Sequence, residues 1–215
     1  MSVPSFIVVE GPVGVGKTTL SRRLAESFGS ELLLEAPDKN PFLEKFYRKP
    51  RQHALPTQLF FLLQRAQQLQ ELRQSDLFNP VRVADFLMEK DRLFAQLTLD
   101  ADELTLYNQV FEHLTIDAPK PDLVIYLQAP VQVLLTRIQR RGVHYEHWIQ
   151  PGYLQRLVDS YTQFFYDYSE APLLIVNAAE ANFVESETDY QQLLDQIRKV
   201  RNGRHYFNPV SLTLS

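Results

Sequence analysis

Residues 11–18, GPVGVGKT, constrain this chain more than any other stretch. They fit G-x-x-x-x-G-K-[ST] with Gly11, Gly16, Lys17 and Thr18 in register, after the apolar run FIVVE and before the helix-forming run TTLSRRLAESFG. A strand feeding such a loop and a helix leaving it turn successive backbone N–H groups inward around phosphate oxygens, at the positive end of a helix dipole. On this reading Gly11, Pro12, Val13, Gly14, Val15 and Gly16 form the cradle, Lys17 reaches the β- and γ-phosphates, Thr18 is a magnesium ligand and Thr19 stands beside it. The expected cofactors are ATP and Mg2+. The motif alone does not separate a kinase from a GTPase, an ATPase or a regulator.

Along the rest of the chain, short β-rich runs alternate with helical stretches, the pattern of a parallel α/β sheet covered on both faces. Strands are predicted at Phe6–Glu10, Leu32–Glu35, Val81–Phe86, Leu123–Leu127 and Leu173–Val176. Helices are predicted at about 17–28, 57–74, 102–116, 131–141, 152–169 and 187–200, with Pro56, Pro130 and Pro151 where helix N-termini accept proline. The 215 residues, 45% hydrophobic and 22% charged, suit one domain with a sizeable core. The expected fold is therefore a single three-layer α/β/α P-loop NTPase domain over 1–215 with a five-stranded parallel sheet. A tail from about 202 carries no readable function.

Composition narrows the partners. With 22 basic and 26 acidic residues the formal charge is -4, so no global field draws nucleic acid or an anionic membrane, and any bound anion must be held locally. Zero cysteines exclude thiolate catalysis and cysteine-ligated metals, and the five histidines show no metal-ligand spacing. No apolar stretch approaches the roughly 20 residues that span a bilayer, and MSVPSFIVVEGP lacks a signal peptide's basic flank, so a cytoplasmic protein is expected. The second strand should end beside the P-loop at Glu35. A carboxylate there would repel a phosphate acceptor, but it can take the proton of a hydroxyl attacking the γ-phosphate or sit in the magnesium shell.

At this point the chain resembles the deoxynucleoside kinases, in particular the bacterial deoxyadenosine/deoxyguanosine kinase branch. The resemblance runs from about residue 5 to 200 and rests on GPVGVGKTT, on Glu35 with the downstream NPFLEKFY, on Pro56-Thr57-Gln58-Leu59-Phe60-Phe61, on DFLMEKDRLFA and on RIQRRGVHYE as a lid over about 137–150. It implies that Glu35 activates a 5′-hydroxyl, that Tyr47 and Glu146 hold the sugar 3′-hydroxyl, and that Gln58 bonds the base edge with two groups. Eleven residues separate Tyr47 from Gln58, enough to run from a short helix across a Pro50–Pro56 connection to the next helix's first turn. An amide offers donor and acceptor together, which suits a nucleobase edge. Arg65, two helical turns beyond Gln58, wants a partner, and the resemblance pairs it with Asp91, a combination that resembles the purine- and cytosine-accepting kinases and not the thymidine-accepting ones, so that deoxyadenosine or deoxyguanosine is favoured. Phe61 or Phe94 is expected against the base. By the same resemblance Arg137 and Arg141 clamp the transferring phosphate. Asn177 stands where related kinases close over the ATP base, and a simple strand-ending asparagine fits equally.

Two positions depart from the family pattern. Where it often carries acid–Arg–Ser, this chain reads Asp85-Phe86-Leu87; Asp85 keeps a metal role, but Phe86 cannot donate to an oxyanion, so Lys90 or Arg92 would have to reach in. A lid arginine is replaced by Val143. The expected activity is an ATP-dependent kinase of a purine deoxynucleoside. The alternatives are a kinase of another small alcohol or of a nucleoside monophosphate, and a nucleotide-binding regulator with weak catalysis. A homodimer is expected from the wide apolar surface of helix 57–74, with helix 102–116 beside it.

Overall fold

The computed structural model describes residues 4–74, 81–115, 118–180, 183 and 186–209. Six strands form one parallel sheet in the order β2-β3-β1-β4-β5-β6: β1 Phe6–Glu10, β2 Glu31–Leu33, β3 Arg82–Ala84, β4 Leu123–Gln128, β5 Leu173–Asn177 and β6 Arg204–Phe207. Among the described residues eight α-helices flank it: α1 Lys17–Phe28, α2 Leu43–Arg48, α3 Pro50–Gln74, α4 Lys90–Thr98, α5 Ala101–Thr115, α6 Val131–Arg141, α7 Pro151–Asp167 and α8 Glu187–Lys199. The expected three-layer α/β architecture is present, but the sheet has six strands, not five. The sixth lies in the tail, where Arg204-His205-Tyr206-Phe207 alternates too briefly and too polarly to read as a strand; it forms because the edge of β5 offers it a parallel partner, Leu173↔Arg204 to Val176↔Phe207.

β1 lies between β3 and β4; the chain passes from β1 to β2 on one side of it and later crosses from β3 to β4 on the other, so the carboxyl end of β1 lies at the switch point of the sheet, where open α/β folds gather ligands. Val8 is level with Ala84 on one side and Val124 on the other. Glu10, Asp85 and Glu35, which end or follow β1, β3 and β2, thus converge on one rim. β1 is wholly buried, as an apolar central strand requires. Behind it Tyr126, Tyr161 and Phe165 stack between β4 and α7, with the Tyr126 and Phe165 rings 4.1 Å apart.

Two glycines explain how the P-loop can lie where it does. Gly11 has φ 150°, and a Cβ there would stand 2.5 Å from the Leu127 carbonyl oxygen on β4. Gly14, at φ 83°, packs under α6, where a Cβ would meet Ile138 at 2.8 Å.

Proline placement corrects one expectation. Pro56 does not open a helix; α3 begins at Pro50 and runs 25 residues with Pro56 inside it. An interior proline costs about 3 kcal/mol of helix stability, and tertiary contacts offset that here. Ala54 and Leu62 are fully buried, the Thr57 hydroxyl donates to the His53 carbonyl (2.6 Å), and Asn40 Nδ2 donates to the Thr57 carbonyl (3.2 Å). Gln58 therefore sits two turns inside α3, not in its first turn, and what read as a connection between Pro50 and Pro56 is helical.

Candidate active site

On the donor side, Lys17 Nζ reaches back to the Gly11 carbonyl at 2.7 Å, across the mouth of the loop. Burial, then the nearby Lys90 ammonium, lower its pKa from the ordinary lysine value. The Thr18 hydroxyl donates to Asp85 Oδ2 at 2.6 Å, and Asp85 Oδ1 accepts the Glu35 backbone N–H at 2.7 Å. Burial, then repulsion from Glu35, pushes the Asp85 carboxyl up despite those hydrogen bonds. A hydroxyl and a carboxylate side by side at a phosphate loop form a hard-oxygen pair of the type Mg2+ takes together with substrate phosphates and water, so Thr18 and Asp85 fit such an ion.

Arg137, on α6, donates to three backbone carbonyls: Val15 at 3.3 Å, Ala178 at 2.8 Å and Ala179 at 3.4 Å. Its guanidinium bridges the P-loop and the loop after β5. Asn177 accepts the Ala179 N–H (3.0 Å) and donates to Asn208 Oδ1 (2.8 Å), so the segment after β6 ties down the loop that follows β5.

The acceptor side is a network of charged side chains. Glu35 lies two residues past β2, and its Oε1 accepts from Arg65 Nε at 2.9 Å, from a second Arg65 nitrogen, and from Lys90 Nζ at 2.9 Å. Although burial alone would raise it, Arg65, then Lys90 and Lys17, hold the Glu35 carboxyl well below the usual carboxylate range. Arg65 also forms an ion pair with Asp91, the pairing expected from the resemblance. Both are buried, and the guanidinium lies 5.2 Å from the centre of the Phe61 ring. Gln58 is buried next to them, with Nε2 3.4 Å from the Thr98 hydroxyl. Phe61 and Phe94 both line the cleft.

Over this pocket comes the segment after α6. Arg141 and Glu146, expected to act on phosphate and sugar respectively, form an ion pair with each other, with Arg141 Nε 3.1 Å from Glu146 Oε2. Tyr145 donates its hydroxyl to Asp38 at 2.8 Å and stacks parallel to Tyr47 at 6.3 Å, which fastens the lid to the loop after β2. Burial, then Tyr153 and Glu146, keep the Tyr47 hydroxyl protonated. Tyr47, Arg141 and Glu146 all line the same cleft as Glu35 and Lys17. Asp91, paired with Arg65, does not line it, and neither do Arg137 and Asn177.

Sequence reasoning left out Glu10, Tyr145 and Tyr153, and it named Lys90 only as a possible substitute cation. Phe86 is buried in the core, so that position faces inward, and Lys90, opening α4, brings a cation to Glu35 beside Arg65. Some signal was there. Glu10 is a carboxylate at the end of an otherwise apolar strand, and Lys90 and Phe94 are four apart on one helical face.

A model of the deoxynucleoside kinase family matches residues 7–202. The deoxyguanosine kinase of Bacillus subtilis (strain 168) is 34% identical over 208 residues, covering 93% of this chain and 99% of that protein. The deoxyadenosine kinase of Lactobacillus acidophilus (strain ATCC 700396 / NCK56 / N2 / NCFM) is 28% identical over 205 residues, covering 89% and 94%. Among solved structures, deoxyadenosine kinase from M. mycoides with bound dATP superposes with a TM-score of 0.76 at 23% identity, covering 90% of this chain and 99% of that one, a likeness of fold. The phosphate loop, the carboxylate facing it and a family match spanning nearly the whole chain lead to one conclusion: this chain belongs to the deoxynucleoside kinase family.

Proposed function

We propose that the chain transfers the γ-phosphoryl group of ATP to the 5′-hydroxyl of a purine deoxynucleoside, deoxyguanosine or deoxyadenosine. One observation carries this reading. Glu35 has one oxygen engaged by Arg65 and Lys90, while Oε2 receives no hydrogen bond from any described residue, in a cleft lined by Lys17 on one side and Gln58 and Arg65 on the other. That oxygen is available to accept the 5′-hydroxyl proton. The 5′-oxygen then attacks the γ-phosphorus as the bond to the β,γ-bridging oxygen breaks, and ADP leaves with the bonding pair.

Lys17 and the P-loop N–H groups hold the phosphates in line for that attack. Thr18 and Asp85 would hold Mg2+, which when bound neutralises phosphate charge. Gln58 and the Arg65–Asp91 pair read the base edge, with Phe61 and Phe94 against the ring. Tyr47 and Glu146 take the 3′-hydroxyl. Arg141 needs only to exchange Glu146 for phosphate to serve the transfer, whereas Arg137 lies at the ATP-base side with Asn177 and orients the donor. The purine preference is supported by relatives named for deoxyguanosine and deoxyadenosine.

A cytoplasmic homodimer acting in nucleoside salvage completes the reading. Leu63 on α3 and Leu106 on α5 are half exposed, on helices that pack together, and offer an apolar face to a second copy. Light scattering at micromolar concentration should give twice the chain mass; a monomer would remove the dimer.

The activity is tested by incubating a panel of deoxynucleosides and nucleosides with magnesium-ATP and reading ADP release and product mass. Deoxyguanosine and deoxyadenosine monophosphates are the expected products. Tight ATP binding with no turnover on any nucleoside would favour a regulator instead.

A further inference from the structure

Lys90 opens α4 and its side chain is 2% exposed, a place where an ammonium survives only with partners. It has two. Nζ lies 2.9 Å from Glu35 Oε1 and 3.2 Å from Glu10 Oε2, and the Glu10 side chain is fully buried. Glu10 in turn accepts from three neutral donors on three different segments: the Gly11 N–H of the P-loop at 2.8 Å, the Leu87 N–H after β3 at 2.9 Å, and the Tyr161 hydroxyl of α7 at 2.9 Å. Glu10 is therefore fixed from every side, and Lys90 is fixed to Glu10.

Glu35 lacks such support from its own backbone. It lies past the end of β2, and its side chain is oriented by two cations on a single oxygen. The two cations are not equivalent. Arg65 is shared with Asp91 in the pocket assigned to the base, so a bound base competes for it. Lys90 is shared with Glu10, at the junction of β1 and the P-loop, and lies 5.6 Å from the centre of the Phe94 ring. Its anchor Glu10 is fully buried and does not line the cleft, so a bound base does not compete for that anchor.

We infer that Lys90, anchored by Glu10, is a positioning residue for phosphoryl transfer: it fixes Glu35 Oε1 so that Oε2 meets the acceptor hydroxyl, and it references that geometry to the first residue of the P-loop. This rests on Glu35 being the general base. The lysine thus restores, from four residues further on, a cation that Phe86 cannot supply.

The test is steady-state kinetics at saturating magnesium-ATP with the preferred deoxynucleoside varied, alongside calorimetric binding of that deoxynucleoside. Lys90→Met should lower kcat about 10²-fold, the usual cost of misplacing a reacting group by about 1 Å, while KM and Kd for the deoxynucleoside change little. Lys90→Arg, which keeps the charge, should recover most of the loss. Because Lys90→Met strands Glu10, the double variant Lys90→Met/Glu10→Gln is measured as well; it should fold and show the same low kcat.

A double-mutant cycle with Glu35→Gln then isolates the route of action. If Lys90 works through Glu35, adding Lys90→Met to Glu35→Gln costs almost nothing further. Full additivity, or a folded Lys90→Met/Glu10→Gln with kcat close to the original, would overturn the positioning role. Near-normal kcat in Glu35→Gln alone would strike the general-base reading instead, and the two failures are told apart by which variant stays active.

Discussion

On the donor side of the cleft most polar contacts run through the backbone; on the acceptor side they run between charged side chains. Lys17 rests on the Gly11 carbonyl, and Arg137 spreads over the carbonyls of Val15, Ala178 and Ala179. Across the cleft, Glu10, Lys90, Glu35, Arg65 and Asp91 form a chain of five alternating charges, all but Glu35 with side chains no more than 5% exposed. The donor presents the same polyphosphate in every turnover, so a loop of N–H groups suffices. On the proposed function the acceptor differs from its competitors by the edge of a base, and reading an edge would take side chains whose donors and acceptors are held in a set pattern. Such a network is fragile: removing one member of a buried ion pair typically costs about 3–5 kcal/mol, because the partner is left charged and unpaired.

That contrast can be broken most directly at Lys17. Lys17→Ala should abolish measurable phosphoryl transfer while circular dichroism and thermal melting remain native, since it removes a charge at the start of α1 and no apolar side chain of the core. Near-normal turnover would mean that the loop is not the phosphate site. Glu35→Gln should reduce kcat by about 10²–10⁴ with a smaller loss of nucleoside binding. Equal losses of binding and turnover would make Glu35 a structural carboxylate.

Base choice sharpens the comparison further. The unmodified protein should discriminate against thymidine by at least about tenfold, because an unmatched buried polar group costs about 1–3 kcal/mol. Arg65→Met should damage turnover of all substrates, as it strands Asp91 and removes one support of Glu35. Arg65→Met with Asp91→Ala should relax the preference while leaving the absolute rate low, since Glu35 then rests on Lys90 alone. A double variant with unchanged selectivity would remove the pair from base recognition.

Stability should show the same asymmetry with pH. Glu35 titrates in the folded chain below its ordinary value of 4.5, so the stability it contributes is complete above that pH and is lost as pH falls through and below it. The advantage of the unmodified protein over Glu35→Gln in urea melts should be full at pH 7 and shrink below about pH 4.5. An advantage that does not change with pH would place the stabilising charge elsewhere.

The smallest effect is expected on the donor side. Asn208→Ala frees one exposed hydrogen bond to Asn177 and should raise KM for ATP only by about two- to fivefold, with kcat intact, in line with the net worth of about 1 kcal/mol for such a bond. A large loss of kcat would show that β6 and the segment after it reach the chemistry.

What the sequence determined by itself is what is local. The P-loop could be read because its glycines, lysine and threonine are contiguous and its flanks are a strand and a helix; all five predicted strands lie within two residues of their places for the same reason, continuous apolar runs between turn residues. Val81–Phe86 extends further than β3, whose last residues peel away so that Asp85 can meet Thr18. The resemblance to a family supplied the pairing of Arg65 with Asp91, which spacing alone leaves open because 25 residues and a change of helix lie between them. Tertiary structure decided the rest. Pro56 stays inside a helix because Ala54 and Leu62 are buried beside it, β6 exists because β5 offers an edge, and Arg137 lies on carbonyls because α6 packs over the loops after β1 and β5. Lys90 meets Glu10 and Glu35 only because three strands end at one rim, and a buried charge is settled by which opposite charges the fold places within reach.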